Sequence, residues 1–195
     1  MLFNDLFSYT IVLNSRSPRR KQLLEQMGFN VRLVKTDISE TYPPNLNMEE
    51  IPVYLAEKKA NAYKKMLGEK EILLCSDTIV FIDGKVLGKP QNKEQAIDML
   101  KNLSNKKHYV ISGCYLKSKT NAISFYEKTA VFFKNLSLQD IDYYVENYKP
   151  MDKAGSYGIQ EWIGMIGIEK IEGNFYNVMG LPTVSLFENI QKLIK

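Results

Sequence analysis

An arginine cluster is the sharpest chemical feature of a chain that otherwise relies on lysine. Of the 26 basic residues 22 are lysine and four are arginine, and three of those four, Arg16, Arg19 and Arg20, fall within five residues. The guanidinium is a rigid fork that matches phosphate oxygens, a geometry the lysine ammonium lacks. The cluster lies in Asn14-Ser-Arg-Ser-Pro-Arg-Arg20, where Ser17 reads as a helix N-cap and Pro18 as the first helical residue. A helix N-terminus offers free N–H groups and a partial positive charge, both suited to a bound phosphate. Ser15 and Ser17 add hydroxyl donors, and Arg19 and Arg20 can neutralise several oxygens of a polyphosphate. The bland alternative is a capped helix with solvated arginines. Against it, two basic residues on a first helical turn oppose the dipole, which is unfavourable unless an anion is bound. The segment is not a Walker A loop, since GxxxxGK[ST] is absent.

Further along, Ser76-Asp77-Thr78 follows the apolar run Ile72-Leu-Leu-Cys75. An acid at the end of a buried strand stands at the rim where α/β sheets place their sites. There it can bind Mg²⁺ or activate water; an Asx turn into the next element is the structural alternative. Lys58 and Lys59 sit among Ala56, Ala60 and Ala62; on the residues alone a solvated helix face is the favoured reading, and the alternative is that the small residues let the helix pack closely with one lysine turned inward. Asp37 and Glu40 are loop acids, solvated or available to a metal. Lys89 lies in the turn Gly88-Lys-Pro90. Asp152-Lys-Ala-Gly-Ser-Tyr-Gly-Ile-Gln160 is an ordinary surface loop or a base-recognition loop, with Gln160 supplying both a donor and an acceptor to a pyrimidine edge.

These residues need elements to position them. Tyr9–Leu13 reads as a buried strand, Pro18–Met27 as a helix closed by Gly28, and Phe29–Val34 as a second strand. A loop over 35–47 precedes a helix over Met48–Leu67, with Pro52 in an early turn and Gly68 as its stop. Glu71–Ser76 is a strand, and Ile79–Ile82 with Lys85–Leu87 is a hairpin about Asp83-Gly84. Gln91–Leu103 is a helix. His108–Lys117 and Ala122–Lys134 alternate as two long antiparallel strands. Ser137–Tyr148 is a helix with a capping box at Ser137 and Asp140, Ile163–Ile171 a strand, and Thr183–Ile194 a closing helix. Trp162, Tyr143 and Tyr144 are expected in a core or interface. The pattern is α/β with a mixed sheet.

The 195 residues and 22.5 kDa suit one domain with a real core, or two small lobes. With 45% hydrophobic and 25% charged residues the chain has an ordinary globular composition, which excludes disorder, collagen and a coiled coil as its main body. No apolar run reaches the ~18 residues of a membrane span. Residues 1–10 carry Asp5 and lack the basic start and cleavage site of a signal peptide, so a cytoplasmic location is expected. Cys75 and Cys114 are far apart, which argues against a disulfide framework or zinc site. The one histidine, His108, beside Lys106 and Lys107, argues against a Ser-His-Asp triad. A net charge of +4 is too mild to indicate nucleic acid or membrane.

Taken in order, the segments resemble the Maf family of nucleoside triphosphate pyrophosphatases. Ser15-Arg-Ser-Pro-Arg-Arg20 with Leu23-Leu24, Lys59-Ala60, Ser76-Asp77-Thr78, Leu87-Gly-Lys-Pro90, Asp152–Gln160 and Asn177-Val-Met-Gly-Leu-Pro182 are similar to its motifs across almost the whole chain. The resemblance implies a single 1–195 domain with two lobes around a central cleft, built as an elongated mixed α/β sheet with flanking helices of inosine-triphosphatase type. It implies hydrolysis of dTTP and UTP to the monophosphate and pyrophosphate, with Mg²⁺ or Mn²⁺, removing excess or non-canonical nucleotides. It also implies a homodimer, with neither nucleic acid nor membrane as partner. Asp77 corresponds to the proton acceptor. Ser17, Arg20, Lys59 and Lys89 correspond to triphosphate contacts, with Ser15 a further candidate from its hydroxyl, and Arg19, Thr78 and Gln160 correspond to positions tied to substrate choice in the dTTP/UTP branch. Glu40, with Asp77, is the candidate for the metal. Alternatives are a nucleotide-sensing regulator of cell division without essential turnover, and the same reaction on 7-methyl-GTP or a modified purine. The chain departs from the family pattern at Asn14, Arg16 and Ser76, which flank the site, and at Glu161-Trp162, which stands where glycine is common after Gln160.

Overall fold

A computed structural model describes residues 3–195; Met1 and Leu2, part of the segment read against a leader, lie outside the described residues. Along the chain the elements are α1 (Phe3–Leu6), β1 (Thr10–Asn14), α2 (Pro18–Gln26), β2 (Asn30–Val34), α3 (Glu50–Ala62), β3 (Glu71–Ile82), β4 (Lys85–Leu87), α4 (Lys93–Leu103), β5 (Lys107–Lys117) and β6 (Ala122–Phe133). There follow α5 (Leu138–Tyr148), a 3-10 turn (Ala154–Ser156), α6 (Trp162–Gly167), β7 (Ile168–Glu172), α7 (Phe175–Val178) and α8 (Thr183–Leu193). The strands are ordered β2-β1-β3-β5-β6-β7, with β4 paired to β3. The β1 pairings with β2 and β3 are parallel, and the β3–β4 and β6–β7 pairings are antiparallel. The expected mixed α/β sheet is therefore present.

The chain divides into two units. The first runs up to Asp77 and adds Ser112–Glu127 and Gly180–Lys195; the second comprises Thr78–Ile111 and Lys128–Met179. In the first, the parallel β2-β1-β3 arrangement follows from strand–helix alternation, since parallel neighbours need a crossover. Val12, Leu73 and Cys75 pack with Ala56 and Ala60 of α3. Pro52 is tolerated because it falls in the first turn of α3, whose N–H groups have no helical acceptor. The helix approaches β5 closely at Gly113, where a Cβ would stand 2.3 Å from the Pro52 carbonyl carbon, so any larger residue would push α3 off the sheet.

In the second unit the core joins Val80 and Ile82 of β3, Leu100 and Leu103 of α4, Val131 and Phe133 of β6, and Ile141 and Tyr144 of α5. Ala96, Leu100 and Leu103 recur at the spacing that turns one helix face inward, and Asn92 caps α4 by accepting from Gln95 N at 2.9 Å. The capping box on α5 forms as its sequence indicates, with Ser137 and Asp140 each bonding the other's backbone. The β3–β4 hairpin turns on Asp83 and Gly84, both at positive φ, which suits the right-handed twist of its strands.

Three expectations need correction. The second long helix ends at Ala62, not Leu67, because Tyr63 turns to extended backbone. The strand expected to stop at Ser76 runs on to Ile82, so Asp77 and Thr78 lie inside a strand and not at its end. The segment expected as a strand over Ile163–Ile171 begins as α6 and becomes a strand only at Ile168; a short apolar run with two glycines does not by itself distinguish the two.

Candidate active site

Within the first unit, β3 alternates its side chains between the two faces of the sheet. Leu73 and Cys75 pack on α3, so Asp77 continues the same face toward that helix. Lys59 neighbours Ala60, the small residue by which α3 meets the sheet, and its side chain is only 14% exposed. The two meet: Lys59 Nζ donates to Asp77 Oδ1. The same ammonium reaches Glu40 Oε1 at 3.1 Å. Two carboxylates from distant segments thus converge on one cation. Asp37, the other loop acid, pairs with Arg16 instead.

Asn14 holds this arrangement in place. It ends β1, is 3% exposed, and its Nδ2 donates to Thr36 Oγ1 at 2.7 Å and to the Lys59 carbonyl at 3.1 Å. Its Oδ1 accepts from Thr36 N at 3.1 Å. One amide therefore ties the end of β1 to the loop carrying Glu40 and to the backbone of Lys59. Sequence reasoning treated Asn14 as a flanking departure; the available signal was a polar residue directly after the apolar run Ile11-Val-Leu13.

The arginine segment folds as its sequence indicates. Ser17 caps α2, accepting from Arg20 N at 3.4 Å, and Ser15 Oγ accepts from Ser17 N at 3.1 Å. Arg20 is 8% exposed, and its Nε donates to the Gly180 carbonyl at 2.8 Å. Its Nη1 donates to the Ser76 carbonyl at 2.7 Å and to Ser15 Oγ at 3.3 Å. Burial pushes the Arg20 pKa below its usual value, with Asp77 the strongest attraction opposing that shift. Arg20 thus braces the backbone just before Asp77. Arg19 is half-buried on the same turn, while Arg16 is exposed.

Thr78, Lys89 and Gln160 belong to the second unit. Thr78 lies in β3 on the face opposite Asp77. Lys89 is exposed, next to Gly88, whose carbonyl accepts from Gly155 N at 3.0 Å. The lysine turn and the loop leading to Gln160 are therefore joined backbone to backbone. Gln160 is half-buried, and its Oε1 is shielded from solvent with no donor among the described residues.

Of the remaining candidates, His108 is fully buried and its Nε2 lies 2.7 Å from Tyr157 Oη. Burial pushes its pKa down to about 4, so it stays neutral in the core near pH 7. Cys75 and Cys114 are buried free thiols whose pKa values burial raises to about 12 and about 11. Tyr144 is in the core, whereas Tyr143 is half exposed and lies against Trp162. Among the described residues no three His, Cys, Asp or Glu side chains gather as a ready metal site, and no helix is long and apolar enough to cross a membrane.

The chain is similar to known proteins over nearly its full length. A dTTP/UTP pyrophosphatase of Phocaeicola vulgatus is 50% identical over 98% of this chain and 100% of its own. One of Bacteroides fragilis is 49% identical over 97% of this chain and 98% of its own. One of Flavobacterium johnsoniae is 47% identical over 100% of both chains. The solved Ham1 protein of Staphylococcus aureus shares the fold, with a TM-score of 0.51 at 16% identity over 95% of this chain and 100% of its own. The family model for Maf-like proteins matches residues 10–193, and the chain belongs to the Maf family.

Proposed function

We propose that this protein is a dTTP/UTP pyrophosphatase, hydrolysing a nucleoside triphosphate to the monophosphate and pyrophosphate with the help of a divalent metal. The observation that carries this reading is the end-to-end identity of 47–50% to three proteins of that name. The geometry of the first unit supports it.

Attack at the α-phosphorus loads negative charge onto its equatorial oxygens and onto the departing pyrophosphate. Prearranged cations and dipoles lower that barrier because they need not reorganise as the charge develops. The first turn of α2 supplies N–H groups, the Ser15 and Ser17 hydroxyls, and Arg19. Lys59 is a partly buried ammonium already held beside Asp77. Arg20 spends much of its donor capacity on the Gly180 and Ser76 carbonyls, so its main contribution is to hold the phosphate-binding turn and the Asp77 backbone in register. Asp77 accepts the proton of the attacking water. In the second unit, Lys89 is a further candidate phosphate contact, and Thr78 and Gln160 are the candidates for base selection.

Beside the Lys59 ammonium, Asp77 and Glu40 converge from two segments, each with a second carboxylate oxygen besides the one on Lys59. Hard divalent ions such as Mg²⁺ or Mn²⁺ take such a pair together with substrate phosphate oxygens, so the residues present fit the metal. When bound, the metal neutralises phosphate charge and orients the triphosphate.

The test is purified protein with Mg²⁺ or Mn²⁺ and a panel of dTTP, UTP, dCTP, 7-methyl-GTP and modified purine triphosphates, read as pyrophosphate released. Release from dTTP and UTP above the others is expected. Binding without release would leave a nucleotide sensor, and preference for a purine would move the chain to another substrate class.

A further inference from the structure

Glu161 opens α6 as its N-cap residue, yet its side chain makes no capping hydrogen bond. Its carboxylate turns the other way and is held from two sides. Lys153 Nζ lies 3.1 Å from Glu161 Oε1, and the Tyr144 hydroxyl donates to Glu161 Oε2. The same Tyr144 oxygen accepts from Gly158 N at 3.0 Å. Gly158 N–H, Tyr144 and Glu161 thus close a ring across residues 158–161, and Gln160 stands inside it. The turn is tightened by Glu161 N donating to the Gly158 carbonyl at 3.0 Å.

Most of the ring is buried. Tyr144 is fully buried, and the Lys153 side chain is 9% exposed. Lys153 is charge-balanced by Asp152 at 2.7 Å as well as by Glu161. Gly158 permits the arrangement, because a Cβ there would stand 2.8 Å from the Glu161 carboxyl carbon. Burial and the hydrogen bond to Glu161 both raise the Tyr144 pKa, so its proton stays in place for that bond. Set in this rigid frame, Gln160 holds its Oε1 away from water with no donor among the described residues. A buried acceptor left unmatched is costly, and a turn of the side chain toward a ligand N–H removes that cost.

We propose that Glu161 is a positioning residue for base selection: by bridging Lys153 and Tyr144 it holds the backbone on both sides of Gln160, so that the half-buried Gln160 side chain can turn its unmatched amide oxygen to the imide N–H of a thymine or uracil ring. Cytosine presents an acceptor at that ring position and is disfavoured by the same oxygen. The inference rests on the nucleotide reading above and adds to it the residue that makes Gln160 selective.

The experiment is steady-state kinetics on dTTP, UTP and dCTP for wild type, Glu161→Ala, Glu161→Gln and Tyr144→Phe, with folding checked by circular dichroism. Glu161→Ala is expected to raise KM for dTTP about 10-fold, change kcat less than about twofold, and cut the dTTP-over-dCTP ratio of kcat/KM about 10-fold. Glu161→Gln, whose amide oxygen still accepts from Tyr144, should recover most of both. Tyr144→Phe keeps the core volume and carries the test if Glu161→Ala does not fold; it should lose the same discrimination. A folded Glu161→Ala or Tyr144→Phe protein with wild-type KM and ratio overturns the proposal while the pyrophosphatase reading stands. So does an equal fall in kcat on all three nucleotides at constant ratio, which marks a merely structural role. A wild type that releases no pyrophosphate from any of them removes the reading and the inference together.

Discussion

Each unit contains a nearly buried lysine between two carboxylates, and the two triads are built differently. Lys59 meets Asp77 from β3 and Glu40 from the loop after β2. Lys153 meets Asp152, its own neighbour, and Glu161 from the end of the same loop. The first joins three segments far apart in sequence, and it exists only once β1, β3 and α3 have packed. The second closes within one loop and is locked further by Tyr144 from α5. The same charge inventory therefore serves different ends. The assembled triad sits beside the capped first turn of α2 and offers acids and a cation to a reaction. The local triad has its carboxylate occupied on both sides and shapes a backbone. Residue type alone does not separate the two roles; the partners do, since Glu161 is held by both Lys153 and the Tyr144 hydroxyl.

The hardest way to break the comparison is Asp77→Asn. It keeps the shape of the first triad and removes its base, and kcat should fall about 10²–10⁴-fold with the thermal midpoint nearly retained. Pyrophosphate release within tenfold of wild type would take Asp77 out of the reaction.

Acid should act on the second unit through His108. Its pKa is about 4 folded against an ordinary 6.5, so the unfolded chain binds the proton more readily. The neutral histidine contributes stability that is full above about pH 6.5 and lost as pH falls toward 4, amounting to about 3 kcal/mol. His108→Gln should flatten that part of the stability–pH curve in denaturant titrations, and an unchanged slope would show that other groups carry it.

Lys59→Met and Lys153→Met test the two triads side by side. Each leaves partly buried carboxylates without their cation and should cost about 2 kcal/mol of stability, less than for fully buried pairs because Glu40 and Asp152 are solvated. Only Lys59→Met should lower kcat on every nucleotide by tenfold or more, while Lys153→Met should alter mainly the dTTP-over-dCTP ratio. Matching kinetic profiles for the two variants would erase the distinction.

The smallest effect belongs to Arg16→Ala. The Arg16–Asp37 pair is 71% and 85% exposed, and such pairs contribute between zero and about 1 kcal/mol. Activity should be unchanged and denaturant stability should shift by less than about 0.5 kcal/mol. A large loss of activity would mean that all three clustered arginines serve the site.

Much of this was legible in the chain itself. Ser17-Pro18, Asp83-Gly84 and Ser137 with Asp140 encode their cap, hairpin and capping box locally, because the groups that satisfy one another are within four residues. The motif order that marks the Maf family is likewise a property of the linear sequence. Boundaries were less legible where packing overrides local preference: β3 carries Asp77 through its middle because a strand ends where its pairing ends, not at the first polar residue. The protein partners of Asn14, Arg20 and Glu161 were not legible. Asn14 binds Thr36 and the Lys59 carbonyl, Arg20 the Gly180 and Ser76 carbonyls, and Glu161 the Tyr144 hydroxyl. Most of those partners are backbone oxygens, which every residue possesses, so sequence cannot mark which one a buried donor will find. The sequence by itself determined which chemical groups this protein has, the elements that carry them and the family it belongs to. Tertiary structure decided which carboxylates share a cation and which merely hold a loop, because that depends on burial and on partners supplied by packing.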